Sequence, residues 1–487
     1  MTRKFLILLA VFFLLHIFLR VIVSTSLLQD ESEMVLLFQQ PFQLGYNSQP
    51  PLYTWIQMAF FYLFGLNIFS LTFLANLLLF LTYFFIYKTA RLVMHNERYA
   101  LFSALSLFLV YDFGWIAHKG LTHSVIMVLV CVLTLYVLLQ LTRKKRARYY
   151  AALGCCVGLG MLAKYNYSIF IVAMVLALLA TKPYRSVLLD KRILLSFMLA
   201  FVISAPHLLW AATHLSRLMQ EKAQLNMAQG SFLLGFRGIK ALLWEALLFL
   251  LSLLVIFGLL FREGFRRIRS IGKQQSQLQK LIELFFAIFL AICCALLLFF
   301  KVVDIQVRWL FPALVFAPLY FFLRLGEVNV SRVRQRIFVI LLIIAAVANL
   351  GSLYGRVFFA SHGSKYHRLN YPFADLTAMI QKTYFKKGLI VADNCNVGAN
   401  LKIHFKDSFV VFPEGKLIFD IPQNLDEVLL VYTDETWPSV RLAMYAMAEK
   451  QGFLNLSQAP VVLSAPYLYS QKAYFKIYIV TGRKRHG

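Results

Sequence analysis

Three acids crowd the stretch "QDESEMVLLFQQPFQLGYNSQPPLYTW", residues 29–55: Asp30, Glu31 and Glu33. They follow an apolar run, residues 5–23, that is long enough to cross a bilayer. A carboxylate at such a boundary either sits in water or faces a cavity cut into the membrane. In a cavity it can take a proton from a hydroxyl within hydrogen-bond reach. On a helix Glu31 points about 100° away from Asp30, so Glu31 is read as orienting Asp30, binding substrate or facing water. Two cations also carry two readings. Lys164 lies between two apolar runs and either reaches up to headgroups or serves a cavity as a boundary charge. Arg308, ahead of Trp309 and Pro312, is either an interface anchor or a bidentate phosphate ligand.

The elements that must position these groups are membrane helices. The chain has 487 residues, is 60% hydrophobic and has a mean hydropathy of +0.70, well above soluble globular composition. Apolar runs predict eleven spans, near 5–23, 69–87, 99–117, 121–141, 149–163, 165–181, 193–213, 241–261, 281–300, 309–324 and 337–355. The net charge is +27. With the N-terminus inside, roughly half of the Lys and Arg fall in inner loops such as "RKKRAR" (143–148), the bias expected of a cytoplasmic face. That bias accounts for the charge without a nucleic-acid partner. Five of the six cysteines lie in the runs and only Cys395 lies outside, so no disulfide is expected in the outer domain. The chain has no CxxC and no metal-ligand spacing, no cofactor is expected, and metal dependence stays open.

Beyond residue 355 the character changes. Residues 356–487 alternate strand-like stretches (388–393, 408–413, 427–433, 459–465 and 473–482) with amphipathic helices at 372–385 and 437–451. This predicts a mainly α, polytopic membrane domain, 1–355, with a soluble α/β domain, 356–487, on the outer face. Two outer segments exceed what a connector needs. One is the opening loop, 24–68, with an aromatic interfacial helix around Tyr53 and Trp55. The other is 214–240, read as a lid or a plain connector.

Residues 29–55 resemble the first outer loop of bacterial GT-C glycosyltransferases of the protein-mannosyltransferase-like group, which includes lipid A aminoarabinose transferase and rhizobial galacturonosyltransferases. The shared pattern is an acid pair, then Gly-Tyr, then a polar residue before Pro-Pro. "GLGMLAKYNYSIFIV" (158–172) is similar to a Gly-Leu-Gly-x-Leu-x-Lys-Tyr signature, and "VRWLFPALVFAPL" (307–319) to an Arg-aromatic-x-x-Pro helix start. The resemblance covers about residues 1–320. It implies a bundle of about eleven helices in a bacterial inner membrane, with the α/β domain in the periplasm. It also implies inverting transfer of a sugar from a polyprenyl-phosphate donor to a lipid or glycan acceptor, lipid A or lipopolysaccharide foremost.

By the same resemblance, Asp30 and Glu31 are the catalytic pair and Asp30 is the base. Lys164, Tyr165 and Arg308 bind the donor phosphate. Tyr46, Gln49, Tyr53 and His123 bind substrate. Relatives often carry a charged residue or His at Gln49, a departure that leaves the sugar open, and many carry an acid near His123 where this chain has none. A protein acceptor is the nearest alternative. A flippase of a lipid-linked sugar is the rival of another class, disfavoured because no interrupted helices repeat in two halves.

Overall fold

The computed structural model describes residues 2–46, 49–215, 233–263, 276–302, 305–326, 328–363, 365–413, 419–453, 455–457 and 459–484. Seven of the predicted spans are single helices long and apolar enough to cross a membrane: Arg3–Val23, Ile68–Val93, Thr122–Arg143, Ile193–Thr213, Gly235–Leu260, Gln277–Phe300 and Arg332–Phe358. Three others are shorter apolar helices, Ala147–Ala163, Tyr167–Ala180 and Phe311–Leu325.

The remaining run, 99–117, differs from expectation. It breaks into a helix Glu97–Leu105, a 3₁₀ turn Ser106–Leu109, a helical turn Tyr111–Gly114 and a second 3₁₀ turn Ile116–Lys119. Broken backbone in a bundle is tolerated where neighbours satisfy the freed carbonyls. Here the Asn349 side chain donates to the Phe108 carbonyl at 3.1 Å, and the Ser252 hydroxyl donates to the Leu109 carbonyl at 2.7 Å. Residues 216–232, most of the segment read as a lid, lie outside the described residues.

The chain divides into two compact units: residues 1–13, 48–53 and 77–349, and residues 14–47, 54–76 and 350–487. In the first, helix Ala147–Ala163 packs against Ile193–Thr213 and Thr122–Arg143, and Tyr167–Ala180 packs against Gln277–Phe300. The apolar faces of these helices enclose polar pairs. Arg324 bonds Glu283, which also accepts from the Tyr320 hydroxyl at 2.7 Å.

The second unit holds a six-stranded sheet, with β1 Leu389–Ala392, β2 Phe409–Val411, β3 Glu427–Thr433, β4 Asn455–Leu456, β5 Val461–Pro466 and β6 Tyr474–Arg483. The order is β2-β1-β3-β6-β4, with β5 also on β6. β1 runs parallel to β2 and β3, whereas β6 is antiparallel to β3, β4 and β5. All four residues of β1 are buried, as expected of a parallel strand covered on both faces. Leu389 and Val391 join Met444 and Ala448 of helix Pro438–Lys450 in one core. Helix Cys395–His404, which the sequence reading did not anticipate, also packs on β1. It starts at Asn394, whose side chain accepts from the Asn396 and Val397 N–H groups, a standard N-cap.

Candidate active site

In the second unit the predicted acids open a helix, Gln29–Leu37. Asp30, in its first turn and half-buried, has the position at which the helix dipole favours a negative charge. Glu31 is buried, and its Oε2 accepts both from Arg20 Nη2 at 2.7 Å and from the Leu28 N–H at 2.7 Å. Arg20 also donates to the Ser24 and Ser26 carbonyls, at 2.8 and 2.7 Å. One carboxylate thus caps its own helix and locks the turn before it to the preceding transmembrane helix.

The helix is also clamped to Cys395–His404. Asn396 Nδ2 donates to Ser32 Oγ at 2.9 Å and to the Leu27 carbonyl at 3.0 Å. The Leu27 N–H donates to Asn400 Oδ1 at 3.0 Å. Gln39 pairs with the outer edge of β2, donating to the Val410 carbonyl and accepting from the Val410 N–H at 2.6 and 2.9 Å. A side-chain amide here takes the place of another strand on an open edge. Tyr46 is buried. Its hydroxyl accepts from the Gln43 N–H at 3.0 Å and donates to Met58 Sδ at 3.2 Å, and burial raises its phenol above the ordinary value. The neighbouring Trp55 indole donates to the Gln43 carbonyl at 2.9 Å and stacks on Phe42.

In the first unit Lys164 caps the C-terminus of Ala147–Ala163 in an extended conformation. Its ammonium donates to Ser124 Oγ at 2.8 Å. The glycines of the motif make this corner possible. A Cβ on Gly160 would lie 2.3 Å from the Tyr167 ring, and one on Gly158 would lie 2.7 Å from Ile203, so neither position admits a larger residue without rearrangement. Tyr167, seated over Gly160, shares a 2.8 Å hydrogen bond with Thr134. Tyr165 bonds His207 Nε2 at 3.0 Å and lies over its ring. The stack continues through Trp210 to His214.

His123, beside Ser124 in the first turn of Thr122–Arg143, lies 5.7 Å from the Tyr53 ring. The charges of both Lys164 and Arg308 act on it. The carbonyls of Ala163 and Pro50 lie beside the imidazole, yet among the described residues neither ring nitrogen makes a hydrogen bond of ordinary geometry. Lys164, Arg308, His123 and Tyr53 therefore gather in one place, with Gln49 next to Pro50 and half-buried. Asp30, Glu31 and Tyr46 belong to the second unit.

Sequence reasoning missed Arg20, Ser124, Asn396 and Asn400. Arg20 looked like part of a span, although a charge inside an apolar run was a signal for a buried partner.

A family profile described as dolichyl-phosphate-mannose-protein mannosyltransferase matches residues 48–210. The lipopolysaccharide core galacturonosyltransferase RgtA of Rhizobium johnstonii is 30% identical over 413 residues, covering 84% of this chain and 81% of its own. RgtB of the same organism is 29% identical over 395 residues, covering 80% and 79%. ArnT of Cupriavidus metallidurans, solved bound to undecaprenyl phosphate, shares the fold with a TM-score of 0.63 at 14% identity, covering 99% of this chain and 98% of its own.

These features define a multi-pass membrane glycosyltransferase with the GT-C architecture. More closely, the chain belongs to the family of the rhizobial lipopolysaccharide core galacturonosyltransferases.

Proposed function

We propose that this enzyme transfers a glycosyl unit, galacturonic acid foremost, from a polyprenyl-phosphate carrier to the core or lipid A region of lipopolysaccharide, at the periplasmic face of a bacterial inner membrane. The observation that carries the reading is the gathering of Lys164, Arg308 and His123 at a helix break. Two cations near His123 suit the leaving phosphate, where charge accumulates as the glycosidic bond breaks. The relatives' stated activity supplies the sugar and the acceptor class, and the carrier bound to ArnT supplies the donor class.

In this mechanism the acceptor hydroxyl attacks the anomeric carbon from the face opposite the phosphate. The new C–O bond forms as the old C–O bond to phosphate breaks, so the configuration inverts. Asp30 takes the hydroxyl proton. The carrier phosphate leaves with the bonding pair, held by Lys164 and Arg308, with Tyr165 braced by His207. Glu31 holds Asp30's helix in place through Arg20 and so acts at one remove. Tyr46, Gln49, Tyr53 and His123 are assigned to sugar binding, with His123 serving an acidic sugar. The N-terminus lies in the cytoplasm.

The test is mass spectrometry of lipopolysaccharide from a deletion strain complemented with wild type or with Lys164→Met. Loss of one uronic acid residue in the deletion strain, restored by wild type and not by the variant, supports the assignment. Unchanged glycoforms in the deletion strain overturn it. A protein acceptor is the second reading, favoured by the family description, and it predicts intact lipopolysaccharide with a lost glycoprotein.

A further inference from the structure

We propose that the first unit carries an anionic phospholipid site at the end of the bundle that holds the N-terminus, lined by none of the residues assigned to catalysis. An apolar cavity of about 380 Å³ lies between helices Arg3–Val23, Glu97–Leu105 and Arg332–Phe358. Its walls include Leu8, Phe12, Phe102, Phe108, Ile343 and Val347, and among the described residues its one charged lining residue is Lys4. The broken run creates this space. The α-helix ends at Leu105 and gives way to a 3₁₀ turn, so no continuous α-helix fills the gap. Phe108 instead turns in to meet Phe12 with ring centroids 4.6 Å apart.

A second hollow, of about 610 Å³, adjoins the first and shares Leu101, Phe102 and Val339 with it. This one is mixed in character, with Arg98, Arg332 and Arg336 beside apolar walls. Arg98 donates to the Gln335 carboxamide at 3.4 Å. Among the described residues none of the three arginines, nor Lys4, makes an ion pair.

Basic residues at this end follow from the positive-inside rule alone. What that rule does not supply is an apolar cavity continuous with them. From Arg336 to Val347 the helix rises about 16 Å, close to half of the roughly 30 Å hydrocarbon core. The two hollows therefore match one leaflet: an acyl chain lies in the apolar part and a phosphate meets the arginines. Unpaired guanidiniums bind phosphate in a fork, and basic pockets between transmembrane helices are a recognised setting for anionic headgroups. The exposed flanks of the groove, with Leu8 at 70% and Ile343 at 58%, open to the bilayer, so a lipid can enter sideways.

The test is native mass spectrometry of the purified full chain in neutral detergent, with phosphatidylglycerol or phosphatidylcholine of identical acyl chains. Wild type should retain phosphatidylglycerol at least ten-fold better. Neutralising Arg98, Arg332 and Arg336 to Gln together should weaken retention about 100-fold. Ala346→Phe, which fills the apolar part and keeps the charges, should weaken it about ten-fold. Val339→Trp repeats that arm should the first filling variant not fold. Equal retention of both lipids by wild type overturns the proposal. So does loss in the charge variant with none in either filling variant, which would mean headgroup adsorption without a groove. Displacement by inorganic phosphate as effectively as by lipid would mark a free-anion site and also overturn it.

Discussion

Removing Glu31 should unfold its surroundings before it reveals anything about chemistry. The carboxylate and Arg20 are both nearly buried, with side-chain exposures of 10% and 5%, and they lie 2.7 Å apart. Glu31→Ala strands a guanidinium that keeps only the Ser24 and Ser26 carbonyls, and it orphans the Leu28 N–H. Breaking one side of such a pair costs about 3–5 kcal/mol. For a compact unit of roughly 200 residues, 1 kcal/mol corresponds to about 2–4 °C, so the midpoint of that unit should fall by roughly 6–20 °C. Glu31→Gln keeps an acceptor for one of the two donors and should cost about 1–3 kcal/mol. The double change Arg20→Met with Glu31→Leu removes both charges and should recover most of the loss, since a buried pair replaced by apolar groups is often near neutral. The assay is thermal unfolding of the detergent-solubilised chain by circular dichroism, run beside glycosyl transfer on the folded fraction. A Glu31→Ala protein that melts with wild type, or a double variant less stable than Glu31→Ala, would refute the reasoning.

Lys164→Met should lower the turnover number about 10²–10³-fold with a smaller change in donor affinity, and Lys164→Arg should recover part of it. Steady-state kinetics with a polyprenyl-phosphate donor reads both values. Gly160→Ala forces a methyl group into the Tyr167 ring and should destabilise the hairpin by about 1–3 kcal/mol, seen as a lower melting temperature. Lys402, buried and donating to the Lys406 and Ser408 carbonyls, is pushed down by burial to about 8 from 10.5. Above about pH 8 the folded chain has shed this proton while the unfolded chain keeps it, so stability should rise from about pH 8 to 10.5 and then level. The full span is worth up to about 3 kcal/mol. Lys402→Met should flatten that rise in a melting-temperature series over this pH window.

Long apolar runs made most of the bundle legible, continuous apolar β-branched stretches made β1, β2 and β3 legible, and alternation made β5 and β6 legible, because these patterns are local. The break within 97–119 was not, since the groups that stabilise it, Asn349 and Ser252, come from distant helices. Helix Cys395–His404 escaped notice because Asn and Gly dominate its first turns and are weak helix formers, although the Asn394 cap was there to be read. Among the candidate residues, the Lys164 corner was marked by its own glycines. The Arg20–Glu31 lock was hidden because Arg20 sits in an apolar run and its partner lies in the next element. Ser124 follows a histidine in the first turn of helix Thr122–Arg143 and carries no signal that it accepts from Lys164.

The central claim is that Asp30 takes the acceptor's proton in a transfer from a lipid-linked donor. Purified Asp30→Asn, supplied with a polyprenyl-phosphate-linked uronic acid and lipopolysaccharide, tests it most directly. The account predicts donor binding within about two-fold of wild type and product formation down by at least 10²-fold. Wild-type product yield from the variant would contradict it.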